Sequence, residues 1–311
     1  LGCPLVKQRS ICHGVKQAMD LIFTNLVNGL MLGALYAIVS VGLTLVFGIV
    51  KVINFAHGEF LMVAMFLVFL ATSYFGVHPY VTLVVVLPLV FALGMLTQRL
   101  LIEPLQDSDE HIMIFATVGL SIAMINLMLM IFGPDIYNTP SSGLRTVVDI
   151  GPAIFLTGQL NILIAAVLLV AGLHVFLTRT QLGRAIRATG QNRAAAQLMG
   201  INVSWVYMVT FGIGVSCVAL AAVLISPLYP TSPEVGQYFV LLAFVVVVMG
   251  GLGSISGALV AAMIIGLVDA FAGFYFGSHI KDLVVFGIFL LVLIFRPQGL
   301  FGGARNMSHV S

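Results

Sequence analysis

Apolar runs recur along this chain at residues 21–50, 60–75, 80–100, 112–132, 160–177 and 206–225. A shorter run at 238–249 stops at a glycine-rich break, resumes over 258–276, and is followed by a last run at 283–295. A hydrocarbon core about 30 Å thick takes roughly 20 apolar residues of helix to cross. Most of the runs approach or exceed that length, and they are too uniformly apolar to be the alternating strands of a membrane barrel. The pattern predicts an all-α polytopic membrane protein, a bundle of about 8–9 transmembrane helices with some of them broken.

The sharpest departure from the apolar pattern is Ile53-Asn54-Phe55-Ala56-His57-Gly58-Glu59, with Lys51 just upstream. Such polar groups are costly in hydrocarbon and tolerable near an interface, inside a bundle or beside a water-filled cavity. Gly58 would allow a backbone bend there. The second break is Gly250-Gly251-Leu252-Gly253-Ser254-Ile255-Ser256-Gly257. In the first run Gly29, Gly33, Ala37 and Gly42 recur at spacings near four, so small residues gather on one part of that helix and permit close packing.

Charge gives the orientation. Of 311 residues 60% are apolar and only 8% charged, so the net charge of +2 matters less than where the charges lie. Residues 179–202 hold Arg179, Arg184, Arg187 and Arg193 and no acid, which puts this segment in the cytoplasm. Its punctuation predicts two short helices, one ended by Gly190 and the next capped by Asn192 and ended by Gly200. Counting outward places the carboxyl terminus inside, in agreement with Arg296 and Arg305, and puts Lys51 to Glu59 and the acidic segment 99–111 on the same side. Residues 135–159, punctuated by Gly and Pro, then form the longest outer loop. The amino terminus falls outside, which conflicts with Lys7, Arg9 and Lys16: either residues 1–18 are extraneous, or the first run is not one crossing.

Residues 1–18 have no apolar core or cleavage site of a signal peptide, and Met19 directly precedes the first run. They read as an extraneous or disordered tail, before a transmembrane domain at 19–302 that includes the cytoplasmic loop 179–204, with a cytoplasmic tail at 303–311. The opening Leu-Gly-Cys lacks the targeting segment a lipobox needs. Cys3, Cys12 and Cys217 show neither a disulfide framework nor metal spacing.

Self-similarity links the two breaks. Residues 57–65 align with 256–264 when Gly58 is set on Gly257, 199 positions later. Each match follows one apolar run and precedes two, and both breaks fall on the same side, as a parallel repeat requires. Such a repeat would pair the broken helices as walls of one pathway, lined or gated by Asn54, His57, Gly58, Glu59, Gly251, Gly253, Ser254 and Gly257. His57 and Glu59, two apart, would not share a helix face, which favours lining over a proton relay. Asp269, an acid within an apolar run, reads either as a pathway group or as a helix-end acid facing the outer aqueous layer. His174 reads as a packing or interfacial residue. No phosphate-binding loop, nucleophile with a base or Cys/His cluster occurs, which argues against a membrane enzyme and predicts no bound cofactor; if ATP is used, another chain must hydrolyse it.

The stretch 53–59, then Gly183-Arg184-Ala-Ile-Arg187-Ala through Gln191-Asn192-Arg193 to Gly200-Ile201-Asn202, then 250–257, in that order, resembles the LivH-type permease family of branched-chain amino-acid ABC transporters. The resemblance covers roughly residues 20–302. It implies a non-catalytic inner-membrane permease that sits among membrane lipid and pairs with a LivM-like second permease. Two cytoplasmic ABC ATPase subunits would drive it, a periplasmic amino-acid-binding protein would deliver Leu, Ile or Val, and no nucleic acid is involved. It also implies that Gly183, Arg184, Arg187, Gln191, Asn192, Arg193 and Gly200 belong to the segment that couples to an ATPase. Gln191 stands where some relatives carry an acid, and residues 1–18 match nothing in the family. Two other expectations remain open: a permease of the same family for urea or short amides, and a stand-alone channel or secondary transporter.

Overall fold

The computed structural model describes residues 5–140, 143–150, 153–278 and 280–301. Nine apolar helices form the bundle among them: α1 (Leu5–Val50), α2 (His57–Phe75), α3 (Leu83–Thr97), α4 (Glu110–Phe132), α5 (Thr157–Arg179), α8 (Val203–Ile225), α9 (Val235–Gly250), α10 (Ile255–Phe276) and α11 (Lys281–Phe295). Two short helices, α6 (Gln181–Gln191) and α7 (Arg193–Leu198), lie between α5 and α8 at what is called here the basic end. Seven of the helical stretches are long and apolar enough to cross a membrane, whereas α9 has 16 residues and α11 has 15. The chain is a multi-pass membrane protein of the all-α class.

α8 lies at the centre and α4 at the periphery, since 89% of the most apolar window of α8 is buried against 11% for α4. The glycines of α1 are spent on close packing. A Cβ on Gly33 would lie 2.9 Å from the Met263 Cα of α10, and one on Gly42 would lie 2.3 Å from the Gly214 oxygen of α8. Backbones can approach this closely in a membrane bundle only where side chains are absent.

Two regions show secondary structure that the sequence reading did not name. Residues 5–18, expected as a disordered or extraneous tail, have a helical backbone continuous with α1; no proline follows Pro4 to interrupt it. Residues 1–4 and 302–311 lie outside the described residues, the carboxyl-terminal tail among them. The connection 135–159, expected as an irregular loop, contains an antiparallel hairpin of β1 (Val147–Ile150) and β2 (Ala153–Leu156), with Val147 opposite Leu156. Its valines and Phe155 favour a pleated, half-buried surface, and Phe155 packs with Met31 of α1. The connection is clamped to the α8–α9 link: Tyr137 and Thr231 exchange backbone hydrogen bonds of 2.9 and 2.8 Å, and Arg145 Nε donates to the Pro227 oxygen at 2.8 Å.

Candidate translocation and coupling site

α1 stops at Val50 because Lys51 adopts a left-handed backbone, φ 59°, with its N–H bonded to the Phe47 oxygen at 3.0 Å. The next residues do not stay at the basic end. The chain climbs back into the bundle, and the His57 ring Nε2 pairs with the Val39 oxygen at 3.2 Å. Val39 precedes Val50 by 11 residues, about 16 Å along a helix rising 1.5 Å per residue. The polar stretch, expected as a break at the cytoplasmic side, therefore starts at the basic end and ends deep in the protein, where one polar atom each of Asn54, His57 and Glu59 finds a partner.

Those partners are specific. The Asn54 Oδ1 accepts from the Ala56 N–H at 3.1 Å and turns the chain into α2. Glu59 Oε1 accepts from the Ser121 hydroxyl of α4 at 2.9 Å, and the Thr117 hydroxyl, one turn earlier, donates to the Ile53 oxygen at 3.2 Å. His57 thus faces α1 and Glu59 faces α4, as their spacing required. Asn54, His57 and Glu59 are all essentially buried. Gly58 serves a contact more than a bend: its φ is not positive, and a Cβ there would lie 2.0 Å from the Gly236 oxygen at the start of α9. Gly257, its counterpart in the alignment, packs the same way on the other end of α9, 2.1 Å from the Gly250 oxygen by the same measure. Both broken helices rest on α9 through one glycine each.

The two breaks meet at a cavity of about 670 Å³ at the basic end, lined by Gly48, Lys51, Val52 and Ile53 on one side and Leu252, Gly253 and Ser254 on another. The start of α4 and Pro297, Gln298 and Phe301 complete it. Gly253 needs its glycine, with φ 83° and the Gly48 Cα only 3.1 Å from where a Cβ would stand. Ser254 caps α10 by accepting from the Gly257 N–H at 3.1 Å. Of the expected pathway residues, Gly253 and Ser254 line this cavity, while Asn54, His57, Gly58, Glu59, Gly251 and Gly257 are buried and do not line it.

Asp269 sits apart. It is 4% exposed, accepts from the Tyr36 hydroxyl at 2.6 Å, and its other oxygen lies 3.2 Å from the Lys281 ammonium, which also donates to the Tyr238 hydroxyl at 3.0 Å. The ammonium approaches Asp269 as an ion pair without an aligned hydrogen bond. One carboxylate so ties α1, α9, α10 and α11 toward the hairpin end. Lys281→Met is expected to leave an uncompensated charge and lower stability in detergent by roughly 2 kcal/mol, less than the ~3–5 of a fully buried pair because Lys281 is partly exposed. Thermal unfolding of the single variant against Lys281→Met/Asp269→Asn, where the second change should recover part of the loss, checks this.

At the basic end the short helices form as their caps dictate. Asn192 Oδ1 accepts from the Ala195 N–H at 3.0 Å, Gly200 turns the chain at φ 80°, and Asn202 caps α8 by accepting from Trp205 N–H at 3.1 Å. Gly183 lets α6 press on the end of α5, its absent Cβ being 2.3 Å from the Phe176 oxygen. Gly190 presses on the end of α1, 2.7 Å from Ile49 Cδ1 and 3.3 Å from the Gly48 oxygen by the same measure. Gly48 in turn touches Gly253, so contacts run from α6 through the end of α1 to the second break. Arg184, Arg187 and Gln191 are exposed on the outer face of α6. Arg193 is occupied within the chain, paired with Asp107 of the α3–α4 link at 3.1 Å. Leu198 and Met199, 89% and 81% exposed, form an apolar knob that the sequence reading passed over.

A membrane-embedded helical bundle with two broken helices around one cavity, and a pair of outlying helices touching its wall, is the architecture of a permease. The chain belongs to the family described as branched-chain amino acid transport system / permease component, whose model matches residues 25–293. It is 32% identical over 298 residues to the high-affinity branched-chain amino acid transport system permease protein BraD of Pseudomonas aeruginosa, covering 89% of this chain and 94% of that protein. The LivH permease of Escherichia coli is 32% identical over 288 residues, 88% of this chain and 94% of its own length. A probable LivH of Methanocaldococcus jannaschii is 26% identical over 284 residues, 86% and 89% of the two chains.

Proposed function

We propose that this chain is the permease subunit of an ABC importer that moves branched-chain amino acids across the inner membrane, with its basic end and carboxyl terminus in the cytoplasm. Two separate ATPase subunits hydrolyse the ATP, a second LivM-like permease completes the pathway, and a periplasmic binding protein delivers Leu, Ile or Val. The line of contacts from α6 through Gly190, Gly48 and Gly253 to the cavity carries this reading, because it links a surface outside the bundle to both breaks. A stand-alone channel would have no use for it. The relatives named above are named for the transport of branched-chain amino acids, which favours that cargo over urea or short amides.

Movement of the ATPases would be taken up by α6 and α7 and transmitted to the breaks, shifting the pathway between outward and inward states. Arg184 and Arg187 offer charge to an ATPase, and Leu198 with Met199 offers the apolar anchor that dominates many interfaces. Leu198→Asp/Met199→Asp is expected to cut ATP-driven uptake of leucine at least roughly tenfold, since placing charge in an interface core costs more than the ~1.4 kcal/mol per decade of affinity. Co-purification of the ATPases with the variant, measured beside uptake, tests the assignment; full uptake and full retention would contradict it.

A further inference from the structure

The cavity at the basic end has a composition that the packing of the bundle does not require. Two of its lining residues are charged and of opposite sign, Lys51 at the end of α1 and Glu110 in the first turn of α4. Both are exposed, and neither has an ion-pair partner among the described residues. Much of the remaining wall is apolar, with Phe47, Val52, Met113, Ile114, Val248 and Leu252.

We propose that this cavity is a low-affinity binding site for a zwitterionic aliphatic amino acid leaving toward the cytoplasm, with Lys51 receiving its carboxylate and Glu110 its ammonium. This rests on the import reading above and adds the residues that would recognise the cargo. A volume of about 670 Å³ lies in the range of about 300–1,000 Å³ typical of small-molecule sites. One cation, one anion and aliphatic or aromatic walls match the three parts of a branched-chain amino acid. A neutral amide has no charge for either end.

The backbone supports a role for the Lys51 side chain. Among the described residues Lys51 is the only non-glycine with positive φ, at a helix end where glycine would sit without strain. The start of α10 offsets the carbonyl end of α1: the Gly48–Gly253 contact sets that end beside the amino-terminal end of α10, whose first-turn N–H groups, other than the Gly257 N–H that Ser254 caps, favour an anion. The site is open at its rim, where Gln298 is exposed with the two charged residues, as a release site must be.

The test is equilibrium binding of radiolabelled leucine to the assembled transporter in nanodiscs, without the periplasmic protein. Unlabelled leucine should displace the label, while leucine methyl ester, lacking the carboxylate, and 4-methylpentanoate, lacking the ammonium, should compete poorly. Lys51→Asn, which keeps a residue tolerant of the left-handed backbone, and Glu110→Gln should each weaken binding by roughly tenfold, as the loss of a charge-assisted bond implies. The charge swap Lys51→Glu/Glu110→Lys should bind better than either single variant. Absence of binding, equal competition by the methyl ester, unchanged affinity in both single variants, or a swap no better than they are would overturn the assignment. ATP-driven leucine uptake by the same unaltered transporter, reconstituted in proteoliposomes with the periplasmic binding protein, separates the two levels: uptake together with a failed binding test removes this site alone, and absence of uptake removes the import reading with it.

Discussion

Gly58→Val is expected to abolish transport while leaving the chain in the membrane. Its Cβ would stand 2.0 Å from the Gly236 oxygen, 2.7 Å from that carbonyl carbon and 2.9 Å from Val240 Cβ, and real Cβ contacts essentially never fall below 3.0 Å. The nearest neighbour is backbone on a facing helix, so no rotamer change relieves the clash; α2 and α9 must part. Overpacking of this kind costs about 1–3 kcal/mol and shifts backbone. Here the shifted backbone carries His57 and Glu59, whose partners are Val39 on α1 and Ser121 on α4. The disturbance therefore spreads to four helices. Uptake in proteoliposomes, with expression and ATPase co-purification as controls, gives the readout, and near-normal uptake would mean that α2 and α9 are free to separate without consequence.

Gly48→Val should have an effect of similar size by a different route. Gly48 is the point at which the end of α1 touches both α6, through Gly190, and the second break, through Gly253, whose Cα would be 3.1 Å from a Cβ at position 48. A branched side chain pushes the end of α1, on which α6 rests, off the second break. ATPase subunits should still bind, because Arg184, Arg187, Leu198 and Met199 are untouched. Hydrolysis should then continue with uptake reduced at least roughly tenfold, a barrier change of about 1.4 kcal/mol or more. Loss of ATPase binding in this variant would show that the glycine contact holds α6 in place and does not transmit its movement.

Local signals in the sequence led to the right elements. Asn192 before a short helical pattern, and Gly200 after it, marked α7, because caps satisfy backbone groups within three residues; the cap that Asn202 gives α8 was not read. The 16-residue length of α9 was equally legible as a run too short for a full span. Long-range geometry was not. Nothing local tells that residues 51–57 turn inward, since the reason is a bond to Val39 made across the α1–α2 interface. Gly58 was read as a bend because a glycine between polar residues suggests one; that it is a contact depends on Gly236, 178 positions later. Thr117 and Ser121 lay unnoticed in an apolar run, although their spacing of four put both on one face of α4. Leu198 and Met199 passed as ordinary apolar helix residues, and only the placement of α7 outside the bundle exposes them. The hairpin was hidden by the glycines and prolines around it, which signalled a loop more strongly than its short β-prone segments signalled strands.

The reading as an ATP-driven importer of branched-chain amino acids meets its most direct test in proteoliposomes holding this chain with its second permease, both ATPases and the periplasmic binding protein. Labelled leucine uptake should require ATP, be competed by isoleucine and valine, and be indifferent to urea. Uptake that persists with this chain alone and no ATPase, or uptake of urea in place of leucine, would contradict it.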